Sequence, residues 1–242
     1  ANRCLSRPSR PAAKRCDSYI CRTREKPSGR LFMKILAIEF SSDHRSVAVL
    51  DGAQLFAKQT VTEGRNTAAV ALIESALGQA AVGRTEIDCI AVGIGPGSYT
   101  GIRAAIALTQ GWQLARGVKV HGVDSLEALA KGEQAAGRRG EVTLAVDAQR
   151  GEVYLARFEL GEEGIRTIEP TRLAKRAEQE SLRAAGSTVI GPAVGDAFPS
   201  AEYVGRLASG RSDFVEASTL EPVYLRQVDF VKASPPREIP PI

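Results

Sequence analysis

The residues of this 242-residue chain whose types and spacing invite chemistry lie between Gly93 and Arg103, in the run Gly-Ile-Gly-Pro-Gly-Ser-Tyr-Thr-Gly-Ile-Arg. Gly93, Gly95, Gly97 and Gly101 allow positive φ or a close approach that a Cβ would exclude, Pro96 fixes one φ, and Thr100 is placed to cap a following helix. Two kinds of neighbour explain such a loop. One is an anion held by backbone N–H groups at a helix N-terminus, and the other is a second stretch of polypeptide packed against the turn. The familiar phosphate signatures fail on detail. A P-loop requires Lys and then Ser or Thr after its last Gly, where Ile102 follows Gly101, and a dinucleotide fingerprint requires a third Gly where Ser98 stands.

Other chemistry is thinner still. Ser98 and Thr100 have no His or Cys close in sequence to activate them. His44 in a polar turn and His121 at a strand end are isolated, which suits surface or packing roles better than metal ligation. Cys4, Cys16 and Cys21 match no common ligand spacing, and Cys89 reads as a buried free thiol in a reducing compartment. No apolar run reaches transmembrane length, so no membrane is expected.

The elements that must position the glycine loop follow from periodicity. An apolar strand over 87–92 leads into it and an Ala-rich helix over 101–115 leaves it. Upstream, strands at 35–38, 46–50 and 55–61 are joined by short turns, and a helix runs from about 66 to 80. A strand at 118–123 completes a βββαβαβ unit. The unit starts again downstream: Ala145-Val-Asp147 matches Ala37-Ile-Glu39, followed by a strand at 153–158, a helix at 174–185 and a strand at 188–190. Little regular structure is expected beyond, before 223–225. Two lobes are therefore expected, residues 33–135 and a smaller 141–231, with a Pro-rich tail over 232–242 that should be mobile.

Residues 1–32 hold nine basic against two acidic side chains, leaving 23 basic and 26 acidic for residues 33–242. The basic excess is confined to that extension, and the mildly acidic balance of the body implies no broad basic surface for nucleic acid and argues against direct nucleic-acid binding. The chain's single Met, Met33, stands immediately before the first strand. It suggests an initiator there, with upstream translated or appended sequence before it, a transit peptide being the alternative. Disorder is expected over 1–32.

Gly93–Arg103 with the following His121-Gly-Val-Asp-Ser-Leu-Glu-Ala-Leu-Ala130 resembles the bacterial TsaB (YeaZ) family. The resemblance continues through Met33-Lys-Ile-Leu-Ala-Ile38, Asp147-Ala-Gln-Arg-Gly-Glu-Val-Tyr154 and Pro222-Val-Tyr-Leu-Arg226, and covers about 33–230. It implies an α/β fold of two ribonuclease-H-like lobes from the actin, sugar-kinase and Hsp70 superfamily, the second abbreviated. It also implies a cytoplasmic, non-catalytic subunit that binds TsaD, with TsaE joining, in threonylcarbamoyl modification of adenosine 37 of tRNA. tRNA would be met only through the complex, and a homodimer would form without TsaD. Two departures matter. Thr67-Ala68-Ala69 stands where members often have His-Ser-Glu, and Glu39 followed by Phe40 stands where nucleotide-binding relatives in the superfamily carry Asp and a small residue. No cofactor is expected of the chain itself, a nucleotide at the subunit interface being left open. An ATP-dependent kinase or transferase of the superfamily is the alternative reading.

The two helices flanking the strand and loop supply an interface expectation. Residues 66–80 carry one charge, Glu74, and residues 101–115 one, Arg103. A helix lying on a sheet needs only about a 100° apolar face, so the surplus should meet a second macromolecule. The expected interface is Thr67, Val70, Ile73, Glu74, Leu77, Tyr99, Thr100, Ile102, Arg103, Ile106 and Gln110, with Val70, Leu77 and Ile106 as central anchors.

Overall fold

The computed structural model describes residues 32–62, 69–223 and 225. The first sheet forms from β1 (Lys34–Glu39), β2 (Arg45–Asp51), β3 (Gln54–Val61), β4 (Cys89–Gly93) and β5 (Lys119–Val123) in the order β3-β2-β1-β4-β5. β1 pairs antiparallel with β2 and parallel with β4, which makes it the centre of the sheet. Every side chain from Ile35 to Glu39 and from Cys89 to Gly93 is buried, so these strands read as continuous apolar runs rather than alternating ones. Both faces are covered. On one face, α1 (Ala69–Ala80) and α2 (Tyr99–Arg116) set Leu72, Ile73, Ala76, Leu77, Ile102, Ala105 and Ile106 against Leu36, Ile38, Val47 and Ile90.

The other face is covered by α3 (Ser125–Ala135) and by α5 (Ala201–Ser209), whose Ala201, Val204 and Ala208 pack on Ile35, Ala37, Leu50 and Ala91. Gly205 belongs here because Leu50 and Ala37 occupy the space of a Cβ.

The second sheet repeats the first. β6 (Gly140–Gln149), β7 (Glu152–Leu160), β8 (Ile165–Lys175) and the two-residue β9 (Val189–Ile190) run in the order β8-β7-β6-β9, with β6 antiparallel to β7 and parallel to β9. α3 covers one face of this sheet through Leu126, Leu129 and Ala130, while α4 (Arg176–Ala184) and the turn at Ala193 and Val194 lie against the other. α3 is thus sandwiched between both sheets, which explains why so many of its residues are buried.

Three elements depart from the sequence reading. α3, β8 and α5 were not expected as regular structure, and α5 falls where the chain was expected to be irregular. Although α5 lies within 141–231, it packs on the first sheet, as does the segment after it: the Val215 amide donates to the Val120 carbonyl at 3.0 Å and the Val223 amide to the Ile94 carbonyl at 2.9 Å. The expected extension over 1–32, bar its last residue, and the tail over 232–242 lie outside the described residues.

Candidate functional site

The glycine loop is the tightest junction in the molecule. β4 ends at Gly93, the loop turns through a cis Gly95–Pro96 peptide, and α2 begins at Tyr99. Its partner is the turn after β1. A Cβ on Gly97 would collide with the Ser41 carbonyl, one on Gly101 with the Phe40 carbonyl, and one on Gly93 with the Glu39 carboxylate. Gly97 has φ 151° and Gly95 φ 91°, and the Ser98 amide donates to the Ser41 carbonyl at 2.7 Å. Of the two neighbours that sequence allowed, the structure supplies polypeptide. The helix cap is Ser98 rather than Thr100: the Ser98 hydroxyl oxygen accepts from the Gly101 amide at 3.3 Å, whereas Thr100 lies exposed one residue inside the helix.

Glu39 sits at the centre of this junction with no exposed surface. Its Oε1 accepts from the Ser41 amide at 2.7 Å, and its Oε2 accepts from the Ser125 hydroxyl at 2.8 Å. Ser125 in turn accepts from the Gly95 amide at 3.1 Å and donates its own amide to the Gly95 carbonyl at 2.9 Å. Burial raises the Glu39 carboxyl above its ordinary range. The Ser41 hydroxyl and amide and the Ser125 hydroxyl oppose that rise, and the nearby Asp124 charge adds to it. Asp124 itself caps α3 by accepting from the Leu126 and Glu127 amides, yet its own burial pushes it up to about 6. The Glu39 carboxylate is thus enclosed by its own chain. Phe40, 1% exposed, supplies the apolar wall.

Asp147, the counterpart of Glu39 in the second sheet, has a different setting. It pairs with Arg176 at 2.6 Å and accepts from the Gln149 amide and side chain, at a half-exposed edge. Among the described residues no group of three or more His, Cys, Asp or Glu is arranged to hold a metal. His44 stacks on Phe198 at 3.6 Å and His121 packs on Phe214 at 4.5 Å between ring centroids.

The expected interface residues divide sharply. Ile73, Leu77, Ile102 and Ile106 are 2%, 3%, 0% and 5% exposed and belong to the chain's own core, so these four expected apolar contacts, two of the three expected anchors among them, face inward. The sheet beneath the two helices is broad enough to take their apolar stripes. Val70 and Tyr99, each 57% exposed, lie outside, as do Glu74, Thr100 and Arg103. Gln110 is half-buried and donates to the Ala217 carbonyl at 3.0 Å, while Thr67 lies outside the described residues. What remains open is a set of exposed, mostly small residues. On α1 it comprises Val70, Ala71, Glu74, Ser75 and Gly78, and on α2 Arg103, Ala104, Ala107, Gly111 and Leu114. Gly78 and Gly111 have nothing within 4 Å of where a Cβ would lie, so the helical backbone is exposed there. Sequence reasoning missed Ser125 and the Arg211–Val223 segment. The Asp124-Ser125 pair at a strand end was the available sign of a capped helix.

With this geometry in view, the class is plain from topology: an α/β fold of two mixed sheets built to one plan, each an antiparallel meander beside a parallel strand, the second abbreviated. YeaZ from Pseudomonas aeruginosa shares the fold with a TM-score of 0.68 and 24% identity, over 80% of this chain and all of that one. Residues 63–204 match the family model described as TsaD: tRNA N6-adenosine threonylcarbamoyltransferase. The tRNA threonylcarbamoyladenosine biosynthesis protein TsaB of Escherichia coli K12 is 28% identical over 235 residues, which is 85% of this chain and all of that protein. Its Bacillus subtilis namesake is 32% identical over 133 residues, 52% of this chain and 56% of that one. The chain belongs to the TsaB (YeaZ) family. No helix among the described residues is long and apolar enough to cross a membrane.

Proposed function

We propose that the chain is a non-catalytic subunit that docks TsaD through the outer faces of α1 and α2 and thereby supports threonylcarbamoyl transfer to adenosine 37 of tRNA. The observation that carries this reading is the division of labour at the glycine loop. The corner where superfamily enzymes handle phosphate and metal is filled by the chain's own Gly93, Gly97, Gly101 and Glu39, while two helices beside it present small, nearly uncharged residues to solvent. Glu74 is paired with Arg84, and Arg103 lies over the Tyr99 ring at 4.2 Å, so the surface's charges are already engaged. Ala71, Gly78, Ala104, Ala107 and Gly111 allow a partner helix to approach closely, with Val70, Tyr99 and Leu114 as the projecting contacts. An interface of standard size, roughly 1,600 Å² in total, would need both helices. TsaE joins the same assembly in this reading, tRNA is contacted only through TsaD, and a second copy takes the same face when TsaD is absent.

The test is co-purification with TsaD. Ala107→Glu places a carboxylate on the open face without touching the core and should abolish the complex, while Arg183→Glu on α4 should leave it intact. Retention of TsaD by a folded Ala107→Glu variant would overturn the assignment of this face. Tight ATP binding by the isolated subunit that is lost in Glu39→Ala would instead favour an enzyme.

A further inference from the structure

After α5 the chain runs as a strap, Arg211–Val223, along the open edge of β5, and its attachment is unusually polar. Arg211 holds Glu127 of α3 through both carboxylate oxygens at 2.7 and 2.6 Å. The Val215 amide donates to the Val120 carbonyl, the Ala217 amide to the Gln113 side chain at 2.7 Å, and the Val223 amide to the Ile94 carbonyl. Leu220 and Ile94 fill the space a Cβ on Gly122 would need.

Beneath the strap's first turn lies His121, 2% exposed, its ring 4.5 Å from that of Phe214. Its Nε2 is buried without a hydrogen-bond partner among the described residues. We propose that His121 makes the strap a proton-sensitive latch: with a neutral imidazole the strap stays docked, and protonation of His121 releases it.

The groups around the ring explain why a charge there is poorly tolerated. From the strap come Asp213, whose carboxylate is 3.8 Å from Nδ1 but whose side chain is 81% exposed, and Arg211, a like charge. Lys119, on β5 itself, sits over the Phe214 ring at 4.5 Å. Glu127 of α3 is engaged by Arg211. β4 contributes Ala91 opposite His121 in register and, two residues along, Cys89, whose thiol is pushed up to about 12 by burial and is neutral throughout the acid range. α5 offers Val204 and Ala208 to the neighbouring core. Among the described residues, the exposed Asp213 carboxylate is therefore the anion left to answer an imidazolium at this position. Burial lowers the His121 pKa, the Asp213 charge opposes that, the Arg211 charge adds to it, and backbone hydrogen bonds with Arg211 and Asp213 oppose it in smaller measure, so burial outweighs the strap's answering groups.

The sign follows. The docked state disfavours the proton and the open state takes it near the ordinary value of about 6.5. Docking is thus fully present above that pH and is lost as pH falls below it, the open population rising by up to about tenfold per pH unit until the docked pKa is passed. Glu39 and Asp124 shift in the opposite sense within the core, so global melting would mask this local effect.

Amide hydrogen exchange on the full chain between pH 5 and 8, corrected for intrinsic rates, reads it directly. Protection at Val215, Ala217 and Val223 should fall by up to tenfold per pH unit below about 6.5 while Leu36 and Ile90 hold theirs. Asp213→Asn removes the opposing carboxylate and should enlarge the loss, and His121→Gln should flatten it. A ring titration of His121 by NMR in the unmodified chain serves even if His121→Gln fails to dock. Protection independent of pH, a loss that persists in His121→Gln, or a ring pKa at or above 6.5 would each overturn the latch.

Discussion

The two sheets are drawn to one plan, and the contrast between them separates what the plan requires from what this chain has specialised. Both place an antiparallel meander beside a parallel strand, and both carry an acidic residue at or near the end of the meander's first strand, Glu39 closing β1 and Asp147 two residues before the end of β6. In the first sheet that carboxylate is sealed behind a glycine loop, and the central strands are buried from Ile35 to Glu39 in β1 and throughout β4. In the second the carboxylate is half-exposed in an ion pair, β8 is mostly at the surface, and β9 has shrunk to two residues. The same topology therefore supports a rigid platform on one side and a loosely covered sheet on the other. The two helices with open outer faces are mounted on the first of these.

The largest effect should come from breaking the seal. Gly101→Ala or Gly97→Ala drives a methyl into a backbone carbonyl of the Phe40–Ser41 turn, which cannot yield as a side chain would. Each should cost upwards of about 3 kcal/mol or prevent folding, as overpacking against backbone does at its worst. Gly195→Ala in the second lobe also meets a positive φ, 86°, but open space, and should cost only about 1 kcal/mol. Urea unfolding of the variants measures the gap, and equal costs would dissolve the contrast.

This contrast also marks how far the sequence could be read. The glycine loop, its flanking strand and helix, the first meander and the repeat at Asp147 were all legible, because period-2 and period-3.6 patterns and glycine spacing are local signals. α5 was invisible for a tertiary reason: Ala201, Val204, Gly205 and Ala208 are small residues chosen to fit beneath the first sheet, and alone they make a weak apolar stripe. The interface was misread in its anchors for a related reason. The sequence shows that Ile73, Leu77, Ile102 and Ile106 are apolar, but only the breadth of the five-stranded sheet shows that it buries them all. The small residues around them carry the better signal for a partner.

Next in size are the two carboxylates. Glu39 has its pKa raised in the fold, so the native state holds its proton more tightly than the unfolded chain, and the stability from this group is present at low pH and lost as pH rises. Glu39→Gln should keep the Ser41 and Ser125 bonds, raise stability above neutral pH and flatten its fall. Asp124, at about 6 against an ordinary 3.8, acts in the same sense and contributes at most about 3 kcal/mol between those values. Asp147→Asn should cost no more than about 1 kcal/mol, since its pair with Arg176 is more than a third exposed on both sides. Thermal melting across pH 4 to 9 separates the three, and a Glu39→Gln curve parallel to that of the unmodified chain would count against the buried-charge account.

The smallest effect concerns how β8 stays on its sheet. Arg157 lies between Glu141 at 2.9 Å and Glu169 at 4.0 Å, Arg172 meets Glu169 at 3.0 Å and also Glu178, and Lys175 meets Glu152 at 2.8 Å. These partners are mostly a third or more exposed, so each pair is worth about 0.2–1 kcal/mol and is screened by salt over about 3 Å at 1 M. The second sheet's outer strand thus leans on charge where the first sheet's strands lean on apolar burial. Glu169→Gln should cost less than about 1 kcal/mol in dilute buffer and almost nothing at 1 M salt. Leu36→Ala in the first sheet should cost about 2–5 kcal/mol at both. A Glu169→Gln penalty that survives high salt would mean that β8 is held by packing after all, and the two halves of the molecule would then differ in extent but not in kind.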